Sequence, residues 1–203
     1  LYLGGTLDVG SASPQIVQTN WVFAAVSNYV INADLVVRGG AAIGLPQIQQ
    51  NLGSYVAPTN CVGMDLTVNG NLNVASDSFI LGYSSGAMID DHYVPTGYNI
   101  GSHGGRNSPS SYAYDSILNP NLPGLGQSNS YGGFRSGAVL KLLVTGTLTL
   151  NGQAQTDEHT SGFGSAGTLN FTLGSLTGTG IISAKSTKDS GAGRIAIRLT
   201  NSG

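Results

Sequence analysis

Between residues 137 and 199 one short pattern is written three times: GAVLKLLVTGTLTLNGQAQ, GSAGTLNFTLGSLTGTGIISA and GAGRIAIRL. Apolar residues alternate with small or polar ones, and glycine breaks the two longer pieces at matching places. Side chains two apart in a strand share a face. Leu142, Val144, Leu148 and Leu150 therefore point one way, and Lys141, Thr145, Thr147 and Thr149 the other. Leu169, Phe171 and Leu173 repeat the inward row. After a slip of one residue between TGTL and GSL, Leu176, Ile182 and Ala184 continue it. Asn170 and Thr172 fall on the outer face, followed by Thr177 and Thr179.

The same pattern occurs upstream as LYLGGTLDVGSA, DLVVRGGAAI and DLTVNGNLNV. Anchoring each copy on its second apolar pair gives Leu35/Val37, Leu66/Val68, Leu142/Val144, Phe171/Leu173 and Ile197/Leu199, at steps of 31, 76, 29 and 26 residues. Periods of this size point to solenoids or propellers. WVFAAVSNYVI, residues 21–31, is read as strand. Its Val22, Phe23, Val26, Val30 and Ile31 outweigh the helical spacing of Trp21, Ala24, Ala25 and Asn28. Apolar rows this short cannot bury themselves within one copy. Stacking copies about 4.8 Å apart with ladder hydrogen bonds makes one core of them. The competing reading takes Asn69-Gly70 and Asn151-Gly152 as two-residue hairpins and gives an antiparallel sandwich or barrel. Leu72 and Val74 resume the alternation of Leu66 and Val68 beyond the Asn-Gly, which favours stacked copies.

The step of 76 residues holds residues 82–136, with four of the seven prolines (Pro95, Pro109, Pro120, Pro123) and many Gly, Ser, Asn and Tyr. This is an excursion carried by the regular copies, with short strands near 79–81 and 87–89. Its Tyr93, Tyr98, Tyr112, Tyr114 and Tyr131 are expected to pack on the regular part, and they mark a candidate interaction surface.

Charged residues make up 9% and glycine 31 of 203, against a usual quarter charged and about 7% glycine. The surface is polar without being ionic. A formal charge of −2 with scattered basic residues leaves no footprint for nucleic acid. No apolar run reaches membrane-spanning length, since Ser27, Asn28, Asn32 and Asp34 interrupt the longest, 21–37. Cys61 is the only cysteine, so no intrachain disulfide can form, and it reads as a small buried residue. A start at Leu1, with no initiator Met and no signal sequence, is expected of one domain cut from a longer chain.

The three segments quoted first, with DLTVNGNLNVASDSFI, SHGGRN and SYGGFRSG, resemble Gly-rich repeats of very large bacterial surface and secreted proteins, of the adhesin-like, filamentous-haemagglutinin type. The resemblance runs from about residue 65 to 199. It implies a right-handed parallel β-helix (β-solenoid) serving as stalk, filament or adhesin, extracellular or on the cell surface. YAYDSILNPNLPGLGQSNS is more apolar than such repeats, which suggests that the excursion packs on its own solenoid or on a neighbouring subunit.

Candidate chemistry is sparse. Asp90-Asp91-His92 and Asp157-Glu158-His159 are the dense polar clusters. They could offer oxygen ligands to Ca²⁺, but neither has the spacing of an EF-hand or a nonapeptide calcium repeat, and both read as solvated loop charges. A carbohydrate-active β-helix enzyme would need paired carboxylates, or acids with a basic partner. Asp90, Asp91, Asp115, Arg106 and Arg135 are the only pool for these, and no spacing links them. Thr145, Thr147 and Thr149 form no column repeated through all copies, as an ice-binding array would require. Asn170-Phe171-Thr172 matches the glycosylation pattern but falls mid-strand, and the glycines around His103 form a turn, not a phosphate loop. No catalytic residue, cofactor or metal is assigned. The expectation is a non-enzymatic structural or adhesive module that self-associates into a filament or contacts surface proteins or glycans. The alternatives are a polysaccharide-binding or polysaccharide-degrading β-helix and a phage or virion spike domain.

Overall fold

The computed structural model describes residues 6–9, 20–22, 28–45, 50–51, 63–82, 87–90, 103–105, 113–128, 136–158, 164–186 and 190–201. These contain strands and no helix. In chain order the strands are β1 (Thr6–Val9), β2 (Asn20–Val22), β3 (Asn28–Ile31), β4 (Asp34–Val37), β5 (Ala42–Gly44), β6 (Gln50–Asn51), β7 (Met64–Val68) and β8 (Leu72–Val74). There follow β9 (Phe79–Leu81), β10 (Ala87–Asp90), β11 (Leu125–Ser128), β12 (Val139–Leu150), β13 (Gln153–Gln155), β14 (Thr168–Thr177), β15 (Ile181–Ser183) and β16 (Arg194–Leu199).

Apart from β10 and β11, consecutive strands do not pair with each other. Each pairs in parallel with the equivalent strand of the neighbouring copy, and the ladders gather into an eight-stranded, a five-stranded and a three-stranded sheet. In the largest sheet β7 and β8 both lie beside the long β12, β12 beside β14, and β14 beside β16. The five-stranded sheet runs β2, β5, β9, β13, β15, and the three-stranded one β6, β10, β11. The hairpin alternative is therefore overturned. Asn69-Gly70 joins β7 to β8 without pairing them, and Asn151-Gly152 joins β12 to β13 in the same way. These Asn residues bond across copies instead: Asn69 Nδ2 donates to Asn32 Oδ1 at 2.6 Å, and Thr179 N donates to Asn151 Oδ1 at 3.3 Å.

Register places like residues in rows. Leu66, Leu142, Phe171 and Ile197 are successive partners, as are Val68, Val144, Leu173 and Leu199. Leu35, Leu72, Leu148 and Leu176 form a second column, and Ile43, Ile80, Ala154 and Ile182 a third. Their buried members form one hydrophobic cluster, with Leu176 and Ile182 packed against it. The expected one-residue slip is a bulge in β12. Val144 pairs with Leu173, but the next partners are Thr147 and Ser175, so Thr145 and Gly146 stand against a single residue of β14.

One anchor of the sequence register needs correction. Leu35/Val37 do not belong to the column of Leu66/Val68; they pair with Leu72/Val74, and the partners of Leu66 and Val68 in that copy are Tyr29 and Ile31. Both columns alternate in the same way, so apolar spacing alone could not tell them apart. The step between these copies is 37 residues in each column, as Tyr29 to Leu66 shows. Where the chain turns from β14 to β15, Gly178 has φ +108°, and a Cβ there would stand 2.1 Å from the Leu150 carbonyl oxygen. Only glycine fits that corner.

Candidate interaction surface

Residues 113–124 of the excursion lie against the outer face of the last strands, held by polar contacts. Tyr114 is buried at their start, and its hydroxyl donates to the Pro123 carbonyl at 2.7 Å. Arg194 of β16 donates through Nε and Nη2 to the Tyr114 carbonyl, at 3.1 and 2.9 Å. Asn170 of β14 donates to Asn119 Oδ1 and to the Pro120 carbonyl. Arg198 bridges Asn170 Oδ1, Asn119 Oδ1 and the Leu118 carbonyl. Parity placed Asn170 outward, and it is outward, yet it is buried because the loop covers it.

Asp115 organises this segment. Its backbone is at φ +74°, a left-handed conformation that Asp tolerates better than most residues. Its carboxylate accepts from the amides of Ser116, Asn121 and Leu122 at 2.7–3.1 Å, so the loop closes around one anion. Burial alone would push the Asp115 carboxyl up. The hydrogen bonds from His103 and from the Leu122, Asn121 and Ser116 amides outweigh that and hold it below its ordinary value.

His103, in a separate short segment of the excursion, is fully buried. Its Nε2 lies 3.3 Å from Asp115 Oδ2 and its Nδ1 2.8 Å from the Ala166 carbonyl. Its ring stands 4.9 Å from that of Tyr114, tilted by 37°. Thr168 at the start of β14 completes the cluster, donating to the Leu122 carbonyl at 2.6 Å. Beyond these anchors the loop presents Ile117 and Leu118, 77% and 82% exposed.

Of the expected tyrosines, Tyr114 is buried, but its hydroxyl and ring meet Pro123 and His103 of the excursion itself, and it is its backbone carbonyl that Arg194 of β16 reaches. Tyr93, Tyr98, Tyr112 and Tyr131 lie outside the described residues, as do Asp91, His92, Arg106, Arg135, His159 and Cys61. Asp90 ends β10, but its side chain is also outside that description. Asp157 and Glu158 are not the solvated loop charges they resembled. Asp157 Oδ1 accepts from Ser183 Oγ and the Lys185 amide, both at 2.6 Å. Glu158 is 1% exposed and accepts from Ser186 Oγ. Both tie β13 to the copy beyond it. Among the described residues, no group of three or more His, Cys, Asp or Glu could hold a metal, and no helix is long and apolar enough to cross a membrane.

His103, Thr168, Asn170, Arg194 and Arg198 are spatial neighbours that sequence reasoning did not bring together. Their hydrogen bonds to Tyr114, Asp115, Leu118, Asn119 and Leu122 span 12 to 80 residues and follow no motif, and the docking of the loop unites them. No family model, curated protein or solved structure matches the chain.

Proposed function

We propose that this chain is a β-solenoid module, of the right-handed parallel β-helix type, that builds an extracellular bacterial filament or surface assembly without catalysing a reaction. The observation that carries the reading is the state of the outermost strand. Ile195, Ile197 and Leu199 continue rows whose inner members Leu169, Phe171 and Leu173 are fully buried, yet they are 47%, 38% and 57% exposed. β16 pairs with β14 alone among the described strands, so its other edge offers ladder groups to a further strand. A second copy of the chain supplies strands of matching alternation, and contacts that do not close into a ring give filaments. The protruding Ile117 and Leu118 add an apolar contact beside the same strand, because Arg198 holds the Leu118 carbonyl.

Sedimentation velocity and negative-stain electron microscopy over a hundredfold concentration range test this. Concentration-dependent elongated assemblies are expected, and Ile197→Lys should suppress them while leaving the circular dichroism of the monomer unchanged. Monomers at every concentration would sink the reading.

A further inference from the structure

The His103 cluster has a donor problem that only one protonation state solves. Nδ1 faces the Ala166 carbonyl, which can only accept, so Nδ1 must carry a proton. Nε2 faces Asp115 Oδ2 at 3.3 Å and Thr168 Oγ1 at 3.4 Å. The Asp115 carboxylate accepts three backbone amides and is held in its ionised form. The single Thr168 hydroxyl proton has its shortest contact at the Leu122 carbonyl, 2.6 Å away, so the hydroxyl meets Nε2 as an acceptor. Nε2 must therefore donate too. The Tyr114 ring flanks the imidazole, and Arg194 reaches the Tyr114 carbonyl from β16. Asp115 is thus the one acidic group facing the ring among the described residues, and Arg194 the cation approaching it.

The same residue knits three stretches of chain. The His103 amide donates to the Gly105 carbonyl, its carbonyl accepts from the Tyr114 amide, and the Gly104 amide donates to the Ala192 carbonyl. A ring that lost one proton would set a nitrogen lone pair against an oxygen lone pair at a site with no water contact, which costs free energy comparable to a lost hydrogen bond. We propose that His103 is a proton-operated latch: the excursion segments around 103–105 and 113–124 stay seated on β14 and β16 while the ring holds both protons, and unseat when it loses one.

The sign follows from linkage. The seated form binds one proton more than the released form, so raising the pH favours release, up to about tenfold in the opening equilibrium per pH unit across the titration. The proposal is independent of the filament reading and is tested on the monomeric chain. Opening constants from hydrogen exchange, corrected for intrinsic rates, would be measured at pH 6 and pH 8. The amides of Gly104, Tyr114 and Leu122 should open at least about tenfold more at pH 8, while those inside β14 stay unchanged. In His103→Gln, which cannot change its charge, the rise should vanish. Imidazole ¹⁵N spectra of the unsubstituted chain give a reading that needs no variant: both His103 nitrogens should be protonated at pH 6. A pH-independent opening, the same rise in His103→Gln, or one bare ring nitrogen at pH 6 would each overturn the proposal.

Discussion

Phe171→Ala is the most direct test of the stacked rows. Phe171 is fully buried, with Leu142 as its partner on one side and Ile197 on the other. Truncation removes the ring and leaves a cavity in a packed interior, which costs about 3–5 kcal/mol for Phe→Ala. Ile197 belongs to the same row but lies on the outermost strand at 38% exposure. Ile197→Ala should cost about 1–2 kcal/mol, because part of that side chain is already in water. Leu143 sits one residue along β12 from Leu142 and faces outward at 39% exposure, so Leu143→Ala should cost about 1 kcal/mol or less. Urea unfolding of the three variants, read as midpoint shifts at constant m-value, gives the ranking. In thermal terms the Phe171 variant should melt lower by about 2–4 °C for each kcal/mol lost. A cost for Phe171→Ala below about 1.5 kcal/mol, or no greater than that of Ile197→Ala, would refute the row assignment.

Three further expectations rest on other features. Asp115→Asn keeps the tolerance for positive φ but loses the charge, and should cost about 2 kcal/mol at neutral pH from weakened charge-assisted hydrogen bonds. Since the folded-state value of Asp115 is lowered, its stabilisation is complete above the unfolded value of about 3.9 and fades as pH falls through the folded value. The stability gap between the unsubstituted chain and the variant should therefore close on acidification, and a gap that persists would count against the argument. Gly178→Ala meets the Leu150 carbonyl and should cost several kcal/mol, whereas Gly40→Ala, at φ +75° with open space around it, should cost about 1 kcal/mol. Chemical denaturation would expose the error if the two costs were equal. Asn170→Ala removes anchors to Asn119, Pro120 and Arg198, about 1 kcal/mol each. It should speed proteolysis within residues 113–124 severalfold, and unaltered cleavage would deny the pinning.

The strands themselves were legible because alternation is a local property. Leu142, Val144, Leu148 and Leu150 face inward as their parity requires, and even the bulge at Thr145 and Gly146 is visible as a shift of one residue. Column membership was harder, since the apolar words DLVV and DLTV are nearly the same. The deciding signal was polar: Asn32 and Asn69 occupy the same corner 37 residues apart and bond to each other. β11 was not expected, because LGQS carries too little apolar alternation to announce a strand and is one only beside β10. The His103–Asp115 cluster was not legible at all. Its members acquire their roles from the carbonyls of Ala166 and Leu122, and no sequence pattern encodes which backbone oxygen a loop will meet.

β7 and β12 are neighbours although 76 residues separate Leu66 from Leu142, whereas the next pair, Leu142 and Phe171, is bridged by 29. Chain-closure entropy grows only with the logarithm of the link, so the longer connection adds about 0.9 kcal/mol over the shorter. A single hydrogen bond to the charged Asp115 carboxylate, at about 1.5–3 kcal/mol, is larger than that difference. The scaffold is thus almost indifferent to how much chain is spooled out between two of its rungs. The spooled segment can change in length and wording while Leu66 and Leu142 still meet, which leaves this region free to diversify independently of the frame that carries it.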